Sequence, residues 1–259
     1  MIPGNLHTVK RRRVLLSMRD VWYDSNAYYT DADVVYYTQM DKPMGDEWYD
    51  QYTILIDLEQ SKEVLFEQIQ KRSREEIRSM LSKTDFFFSA IAEGITRTLL
   101  NEFIECYNRF ANAKKIPAAE VHRLSDYLEN GLLTITRVFD KNNVVVAWHA
   151  YRVNADRVFL IYSITTAYLH TDSKMKNEIG AANKFCHWKD LEYFKNLGVK
   201  LYDFGGWYNG NTDKELLGIN NFKEKFGGII TPNYNGIQYV TLKGKLFRLL
   251  KYFKNKSQA

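Results

Sequence analysis

The sequence predicts an α/β (α+β) protein with a mixed, mostly antiparallel sheet that is flanked by helices. Three observations support this fold class. Three β-prone runs between 132 and 166 are separated by turn-forming segments, which is typical of consecutive antiparallel strands. Apolar residues recur near helical spacing in several long segments. A short apolar strand at 200–204 runs through two glycines and a polar loop into a short helix.

The individual elements follow from local patterns. The first fifty residues contain tyrosines and short β-prone runs, which predict a small sheet with irregular loops before a strand at 52–58. A helix at 61–82 can be capped by Ser61, and a buried strand is expected at 86–92. Helices at 96–113 and 118–128 are separated by Pro117. After the three strands, we expect a helix at 178–197 ended by Gly198, a strand at 200–204, a helix at 217–226 and β-like segments at 228–241.

The composition excludes disordered and fibrous classes of protein. The chain has 259 residues, of which 45% are apolar, so it can bury a sizeable core. The N-terminal segment has basic residues but no apolar run, and no eighteen uncharged apolar residues stand together anywhere. We therefore expect neither a signal peptide nor a membrane span, and a cytoplasmic location. Cys106 and Cys186 have no C-x-x-C partner, so a disulfide framework or a zinc site is not expected.

The formal net charge of +5 is modest, but basic residues gather at 10–13, 71–78 and 243–256. Such patches would attract an anionic partner, for example a nucleotide, a pyrophosphate or tRNA. Solvated surface is the alternative explanation for each patch. The last patch, KGKLFRLLKYFKNK at 243–256, alternates cations with apolar residues and predicts a basic amphipathic helix. This helix could pack on its own domain or lie on an anionic membrane surface.

The most informative stretch is KLYDFGGWYNGNTDKELLGINNFKEKFGG at 200–228. Paired glycines let the backbone approach a ligand where a side chain would block it. The pattern Y-D-F-G-G, a spacer and G-I-x-x-F-K-x-x-F-G-G resembles the C-terminal signature of the FemAB-like acyltransferases. This group is a branch of the GNAT (Gcn5-related N-acetyltransferase) fold and includes the peptidoglycan-bridge aminoacyltransferases.

The resemblance implies a fold and a domain organisation. The expected order of helix, helix, three strands, helix, strand, helix and strand is the GNAT order, which predicts a GNAT-like acyltransferase domain at 85–259 that carries the C-terminal basic helix. The segment 1–84 is then a partial GNAT-like portion, because FemAB-like proteins usually carry two GNAT-like units. The first fifty residues match nothing in the family pattern, and the chain is short for two full units.

The resemblance also implies an activity: an N-acyltransferase that moves an acetyl, other acyl or aminoacyl group onto an amine of a cell-envelope or polysaccharide precursor. The donor would be acyl-CoA or aminoacyl-tRNA, and peripheral contact with the inner face of the membrane would suit a lipid-linked acceptor. A non-catalytic GNAT-like protein that binds a sugar, a peptide or a partner protein is the alternative from another class.

Three residues are the predicted catalytic groups. Lys223 occupies the F-K position of the motif, where the family's lysine is thought to stabilise charge on the acyl carbonyl. Asp203, at the end of the predicted strand, could take a proton from the attacking amine if burial raises its pKa, or it could simply cap the turn. Tyr202 could donate a proton to the leaving group, although packing is the commoner role for any one of the eighteen tyrosines. Gly205, Gly206 and Phe222 of the same motif are predicted to contact substrate.

The predicted donor site is the start of the helix at about 178. In GNAT proteins the donor's pyrophosphate binds backbone N–H groups at a helix start, in a motif of the form R/Q-x-x-G-x-G/A. The corresponding cofactor-binding residues are Asn177, Gly180, Ala181, Ala182 and Asn183. An acidic residue at 178 departs from the family pattern, and close packing of small residues is the alternative explanation for the glycine and alanines.

Arg74 and Arg78 stand one turn apart on the helix predicted at 61–82. The resemblance implies that this helix lines the acceptor side, where the arginines could hold a phosphate. Intrahelical salt bridges are the alternative. His149 and His187 lie beside tryptophans in apolar elements, where a histidine is usually a core or pocket-lining residue. No histidine and carboxylate cluster shows metal-ligand spacing, so no metal is predicted.

Overall fold

The computed structural model describes residues 8–13, 15–26, 28–154 and 156–256. Its ten strands are β1 Thr8–Arg13, β2 Leu16–Trp22, β3 Val34–Met40, β4 Glu47–Asp57, β5 Phe86–Ile91, β6 Leu133–Asp140, β7 Val145–Val153, β8 Arg157–Thr165, β9 Leu201–Trp207 and β10 Ile229–Tyr239. Its seven α-helices are α1 Lys62–Gln68, α2 Lys71–Leu81, α3 Arg97–Lys114, α4 Val121–Glu129, α5 Ser173–Asn196, α6 Lys214–Glu224 and α7 Leu242–Lys256.

The described chain forms two compact units. Unit 1 contains residues 54–229, and unit 2 contains the residues up to 53 together with those from 230 onward. Strands β4 and β10 each cross a unit boundary. The boundary predicted between 84 and 85 falls inside unit 1, and the interpretation of 1–84 as a partial copy stays a prediction.

In unit 1 the strand order is β4-β9-β8-β7-β6-β5. Strands β5 to β8 pair antiparallel with their neighbours, as the turn-separated runs predicted, whereas β8 and β9 are parallel. A parallel pair needs a crossover connection, and α5 provides it. The mixed, mostly antiparallel sheet predicted from the sequence is therefore confirmed.

Two helical predictions in unit 1 are wrong by more than one turn. The segment predicted as one helix at 61–82 contains α1 and α2, because the chain is extended at Ile69 and Gln70. Ser61 caps α1 as expected, since its hydroxyl accepts a hydrogen bond from Val64 N. Helix α5 begins at Ser173, one and a half turns before the predicted start, and the Asp172 carboxylate accepts from Met175 N at its first turn.

The core of unit 1 brings α5 against the sheet. A large cluster of buried side chains from β7, β8, β9, α1, α2 and α5 includes Tyr151, Trp188, Phe194, Tyr202 and Phe204. Several of these rings meet edge to face, a geometry that aromatic pairs prefer. The cluster fixes the side of α5 that faces the sheet, and the polar residues described below lie on that side.

Unit 2 contains β1, β2, β3, β10 and α7, with the strand order β1-β2-β3-β10. Phe247 of α7 packs against a small cluster that includes Tyr239, and Arg248 forms an ion pair with Glu47 at 2.7 Å. The other large apolar side chains of α7 are exposed: Leu242, Leu246, Leu249, Leu250, Tyr252 and Phe253. The predicted amphipathic helix therefore exists, and most of its apolar side chains do not pack on unit 2. Within the described ranges, no helix has the length and apolar character that crossing a membrane requires.

Candidate active site

A cleft of about 630 Å³ opens in unit 1 where β8 and β9 cease to pair. The register of the parallel pair ends at Phe159 and Asp203, although both strands continue. The following residues of both strands line the cleft. A register shift in the pairing of β7 with β8, between Ala150 and Tyr151, marks a β-bulge beside this point, and bulges commonly re-aim backbone near active sites. The strand divergence therefore opens the cleft.

The walls of the cleft come from β8, β9, α3 and α6, and they are largely apolar. Tyr107, Phe110, Ile116, Tyr162, Ile219 and Phe222 line it, with Lys114 and Glu215 among the charged groups. An apolar lining with a few polar groups is typical of pockets that bind small organic ligands.

Lys223 lies in this cleft on α6. The helix is held near β9 because the Asn220 side chain bonds both backbone groups of Tyr208, accepting from its N at 2.9 Å and donating to its O at 2.7 Å. Lys223 Nζ donates to Gly206 O at 2.5 Å, so the ammonium has a fixed position. Desolvation lowers the pKa of Lys223 to about 8, against the opposing effect of the Asp203 charge. At neutral pH the group is a positioned cation.

Gly205 and Gly206, like Phe222 and Lys223, line the cleft, so the motif residues predicted to contact substrate come together. Gly205 has a φ of +74°, and a Cβ atom there would stand 3.0 Å from Leu160 O. Glycine is therefore required at this position both by backbone conformation and by the close approach of β8. The binding roles of these residues stay predictions.

Asp203 differs from its predicted catalytic role. Its side chain is fully buried and is not among the described residues that line the cleft. One carboxylate oxygen accepts from the Arg157 guanidinium and the other from Gly205 N at 2.8 Å. The geometry favours the turn-capping alternative over a general base, because both oxygens are held by structural partners.

Tyr202 also differs from its predicted role. It is fully buried behind the cleft, and burial raises its pKa well above the ordinary value. Its hydroxyl lies 2.8 Å from Tyr151 Oη and 3.1 Å from His187 Nδ1, so it contacts other side chains rather than the space a leaving group would occupy. Direct proton donation by Tyr202 to a leaving group is therefore not supported.

The Tyr202 hydroxyl belongs to a buried polar network that connects β7, β9 and α5. His149 Nδ1 lies 2.6 Å from Asp190 Oδ2, to which Tyr151 Oη donates at 2.6 Å. The second ring nitrogen of His149 lies 3.0 Å from Asn183 Oδ1. His187 stacks on His149 with ring centroids 4.0 Å apart. Two members, His187 and Asn183, also line the cleft.

This network was missed by sequence reasoning, although a signal existed. On β7, His149 and Tyr151 are two residues apart and share a face of the strand. On α5, Asn183, His187 and Asp190 are separated by four and three residues, which places them on one face of a helix. Polar residues that keep core spacing on two elements indicate a buried network. The expectation that the two histidines are core or pocket-lining residues is confirmed, with His149 in the core and His187 at the cleft.

The predicted donor site does not have the expected geometry. Because α5 begins at Ser173, the backbone amides of 177–183 lie inside the helix and not at its free first turn. Asn177 and Gly180 line a second cavity of about 440 Å³, Ala182 is fully buried, and Ala181 is half-buried against a core cluster. Cofactor binding by these residues stays a prediction. The argument for it, that their backbone N–H groups are free at the start of a helix, does not hold in this structure.

The second cavity, named here the basic cavity, lies beside α2 and α5. Its lining residues are Gln70, Arg72, Ser73, Glu76, Lys176, Asn177, Gly180, Lys184 and Lys225. Lys184 forms an ion pair with Glu76, and Arg72 Nε approaches the same carboxylate at 3.4 Å. The basic cavity therefore combines several cations with one shared acidic partner.

Arg74 and Arg78 do not form the predicted phosphate clamp. Arg74 donates to the backbone oxygens of Glu67 and Ile69, at 2.5 and 2.7 Å, and so satisfies carbonyls at the end of α1. Arg78 lies over the Phe66 ring at 5.1 Å. Neither is among the described residues that line the cleft or the basic cavity.

A metal ion could in principle use the buried network, because His149, His187 and Asp190 offer ligand atoms within 4.8 Å of one another. The two imidazole rings, however, are stacked with an interplanar angle of 24°, so their in-plane lone pairs run side by side and do not converge on one point. Each ring also has an Nδ1 atom that contacts a protein oxygen. These residues fit hydrogen bonding better than metal coordination.

Comparisons with known proteins identify the fold. No family model and no curated protein matches the chain. Among solved structures, FemX has a TM-score of 0.61 at 11% identity, covering 93% of this chain and 85% of that chain. L-PGS from Bacillus licheniformis has a TM-score of 0.51 at 12% identity, covering 94% and 86%. The C-terminal domain of a lysylphosphatidylglycerol synthetase from Agrobacterium fabrum, described there as putative, has a TM-score of 0.51 at 10% identity, covering 88% and 80%. At these identities the comparisons show the fold alone: the chain has the fold of FemX and of these lysylphosphatidylglycerol synthetase structures.

Proposed function

We propose that this protein is an N-acyltransferase that moves an acyl or aminoacyl group from an activated donor onto an amine of a cell-envelope or polysaccharide precursor. The observation that carries the proposal is Lys223. A partly desolvated ammonium, anchored by Gly206 O, lies in an apolar cleft at the point where two parallel strands diverge. The similarity to FemX and to a lysylphosphatidylglycerol synthetase domain supports the fold on which this site is built.

In the proposed reaction, the amine attacks the acyl carbonyl carbon directly. The carbonyl oxygen becomes an oxyanion, and the Lys223 ammonium stabilises that charge. Such stabilisation is large in a site that excludes water, since the cation is already oriented before the charge develops. The apolar walls would hold the two reactants in contact, which supplies a further part of the rate enhancement. No covalent intermediate on the protein is required.

Two donor classes fit the proposal: acyl-CoA and aminoacyl-tRNA. The apolar lining of the cleft would accept the acyl group of either donor. The start of α5 favours aminoacyl-tRNA, because the Asp172 carboxylate occupies the first turn where a CoA pyrophosphate would otherwise bind.

Thermal unfolding tests the donor class. A ligand present at about a hundred times its dissociation constant stabilises the native state by about 2.7 kcal/mol, which raises the melting temperature by a few degrees. Acetyl-CoA, longer acyl-CoAs and free CoA would be compared at equal concentration. Stabilisation by the CoA compounds would establish a thioester donor. If none occurs, a gel shift with charged tRNA at two salt concentrations tests the other class, because tRNA binding weakens as salt rises.

Acyl transfer itself is tested by supplying the bound donor with a panel of amines, including amino sugars and peptides with a free amine. Formation of an amide that depends on Lys223 would support the proposed function. A protein that binds donor or amine but transfers nothing to any acceptor would be a binding protein with this fold, and the proposed function would be wrong.

Helix α7 supports contact with an anionic membrane surface. It has no acidic residue, carries six lysines and arginines, and exposes Leu246, Leu249, Leu250 and Phe253. Apolar side chains interleaved with cations are typical of interfacial helices. We expect the full chain to float with vesicles that contain phosphatidylglycerol, and a variant with Leu249 and Leu250 changed to Ser to remain in solution. Equal behaviour of the two proteins would contradict membrane contact by α7.

A further inference from the structure

We propose that His187 is the proton acceptor in the acyl transfer, and that Tyr202 and Tyr151 connect it to the buried carboxylate of Asp190 as a proton relay. This inference rests on the proposed N-acyltransferase activity. The reaction described above does not use these four side chains. Two observations support the relay: the side chains are connected by a continuous row of short contacts, and each end of the row has one buried atom without a hydrogen-bond partner.

The relay is a row of four side chains from three elements. His187 Nδ1 lies 3.1 Å from Tyr202 Oη, which lies 2.8 Å from Tyr151 Oη, which in turn lies 2.6 Å from Asp190 Oδ2. Three of the four are fully buried and His187 is 1% exposed. His187 also lines the cleft, so one end of the row reaches the proposed substrate site.

The direction of the hydrogen bonds follows from the carboxylate. An ionised carboxylate only accepts, so Tyr151 donates to Asp190 and its oxygen is left to accept from Tyr202. Tyr202 then accepts from His187, which requires a proton on Nδ1. In the neutral ring the other nitrogen, Nε2, therefore carries the free lone pair.

The unpartnered atoms lie at the two ends of the row. Among the described residues, His187 Nε2 and Asp190 Oδ1 are buried without a hydrogen-bond partner. A purely structural polar cluster closes its hydrogen bonds, because each buried open group costs stability. The His187 ring borders the cleft. We expect an amine bound there to donate a hydrogen bond to the unpartnered Nε2 atom.

The surroundings keep His187 neutral. Burial, and then the nearby His149 and Lys223, lower the pKa of His187 well below its ordinary range. Burial also raises the pKa values of Tyr151, Tyr202 and Cys186, so these groups keep their protons. His149, Tyr202 and Lys223 act directly on the ring. The other titratable or charged groups nearby in the network or on the same elements are Tyr151 on β7, Cys186 and Asp190 on α5, and Asp203 on β9.

A histidine that resists a positive charge can still accept a proton if it releases another. As the amine nitrogen bonds to the acyl carbon, its proton moves to His187 Nε2. The Nδ1 proton moves to Tyr202, the Tyr202 proton to Tyr151, and the Tyr151 proton to Asp190 Oδ2. His187 ends as the other neutral tautomer, and the relay loses its one negative charge by protonating Asp190.

The remaining steps balance the reaction. The tetrahedral intermediate collapses when the bond between the acyl carbon and the donor's leaving atom breaks, and that atom keeps the electron pair. The leaving atom is sulfur in a thioester and oxygen in an aminoacyl ester. The relay then runs in reverse, so that the proton returns from Asp190 through His187 Nε2 to the leaving atom. The products are the amide and the protonated thiol or alcohol.

The first test is nitrogen NMR of the histidine side chains in the whole protein, which has five histidines. The His187 signals are assigned as those missing from a His187→Gln variant. We expect a neutral ring protonated at Nδ1 from pH 6 to 8. Tyr202→Phe removes the acceptor of that proton and should shift the ring toward the Nε2–H tautomer, whereas the control Tyr193→Phe, which changes a tyrosine of α5 outside the relay, should leave it unchanged. An imidazolium or an Nε2–H tautomer in the wild-type protein at pH 7 would overturn the relay.

The second test is turnover with whichever of acetyl-CoA and aminoacyl-tRNA the wild-type protein consumes. We expect His187→Gln to lower kcat about 100-fold, the usual effect of losing a proton acceptor, with the donor KM changed less than about twofold. Tyr202→Phe should lower kcat about tenfold, and Tyr193→Phe should have no effect. Unchanged kcat in His187→Gln would overturn the proposal. If the wild-type protein acylates no amine, the proposed function fails, and the NMR result decides the relay by itself.

A metal-binding site is the competing use of the same residues. Metal analysis of the purified protein, with zinc and manganese each added in excess and then removed by gel filtration, separates the two. A stoichiometric ion that is lost in His149→Gln would replace the relay by a metal site. Retention of less than about a tenth of an equivalent would leave the relay as the role of the network.

Discussion

Lys223 and Lys225 stand two residues apart at the end of α6, yet they line different cavities. Lys223 is one cation in a largely apolar cleft, and desolvation lowers its pKa to about 8. Lys225 belongs to the basic cavity, where Glu76 already pairs with Lys184. Residues two apart on a helix point in different directions, so similar sequence positions have different environments. Burial away from water is the main cause of the lowered pKa of Lys223.

The largest expected effect separates the two lysines. Lys223→Ala should lower turnover by about 100- to 1000-fold, the range for loss of an oxyanion-stabilising donor, and should leave donor affinity nearly unchanged. Lys225→Ala is the matched control and should retain turnover within about twofold, because it does not line the cleft. Steady-state kinetics of both variants measure the difference. Equal activities of the two variants would remove Lys223 from the mechanism.

The pH dependence sharpens the same comparison. If the ammonium form of Lys223 is required, turnover should fall as pH rises through about 8, well below the ordinary lysine value. From pH 7 to 9 the expected loss of turnover is about tenfold.

The effect of the lowered Lys223 pKa on the free energy of unfolding has the opposite sign. The unfolded chain binds more protons between the folded and ordinary pKa values, so the free energy of unfolding rises with pH in that window. Lys225→Ala should keep both dependences, and a flat rate profile to pH 9 would contradict the assignment.

Each cavity also contains a glycine whose replacement is informative. Gly205→Ala, in the cleft, should lower the free energy of unfolding by about 1–2 kcal/mol, the cost of a side chain in left-handed backbone. Its φ is +74° and the new Cβ would meet Leu160 O. Urea unfolding measures the change. A stability equal to that of the wild-type protein would show that β8 and β9 can move apart at this point.

Gly180→Ala, in the basic cavity, should act in the other direction. Gly180 lies inside α5, and no described atom stands within 4 Å of the Cβ that would be added. We expect about 1 kcal/mol of added stability, the difference in helix propensity between the two residues. Donor affinity should not change. A loss of donor affinity in Gly180→Ala would instead restore the predicted approach of a donor phosphate to this backbone.

Much of the fold could be predicted from the sequence, because its signals are local. The turn segments between β6, β7 and β8 and the paired glycines of β9 predicted those elements without tertiary information. The predicted start of α5 was wrong, because the small residues at 180–182 suggested a start near 178, whereas Asp172 caps a helix that begins at Ser173. At the break between α1 and α2, Arg74 donates to carbonyls at the end of α1. The helical periodicity of 61–82 does not reveal this contact, and so it predicted one helix.

The candidate site was predictable only in part. The motif identified Lys223, Phe222 and the paired glycines, which the fold brings together in one cleft. The role of Asp203 could not be decided, since its partner Arg157 is forty-six residues away in sequence. Predicting the relay from the sequence would have required knowing that β7 and α5 face each other. Polar spacing on each element indicated two buried faces, but only the tertiary fold shows that they form one network.

The division of the chain between its units has a consequence for biosynthesis. Among the described residues, unit 1 is the stretch 54–229, whereas unit 2 combines residues before 54 with residues after 229. Domains fold as units while the ribosome delivers the chain from its N-terminus. The early part of unit 2 therefore leaves the ribosome first but must wait for β10 and α7, with its strands uncovered, while the whole of unit 1 is synthesised. We expect the uncovered strand edges to favour aggregation of the nascent chain during that interval.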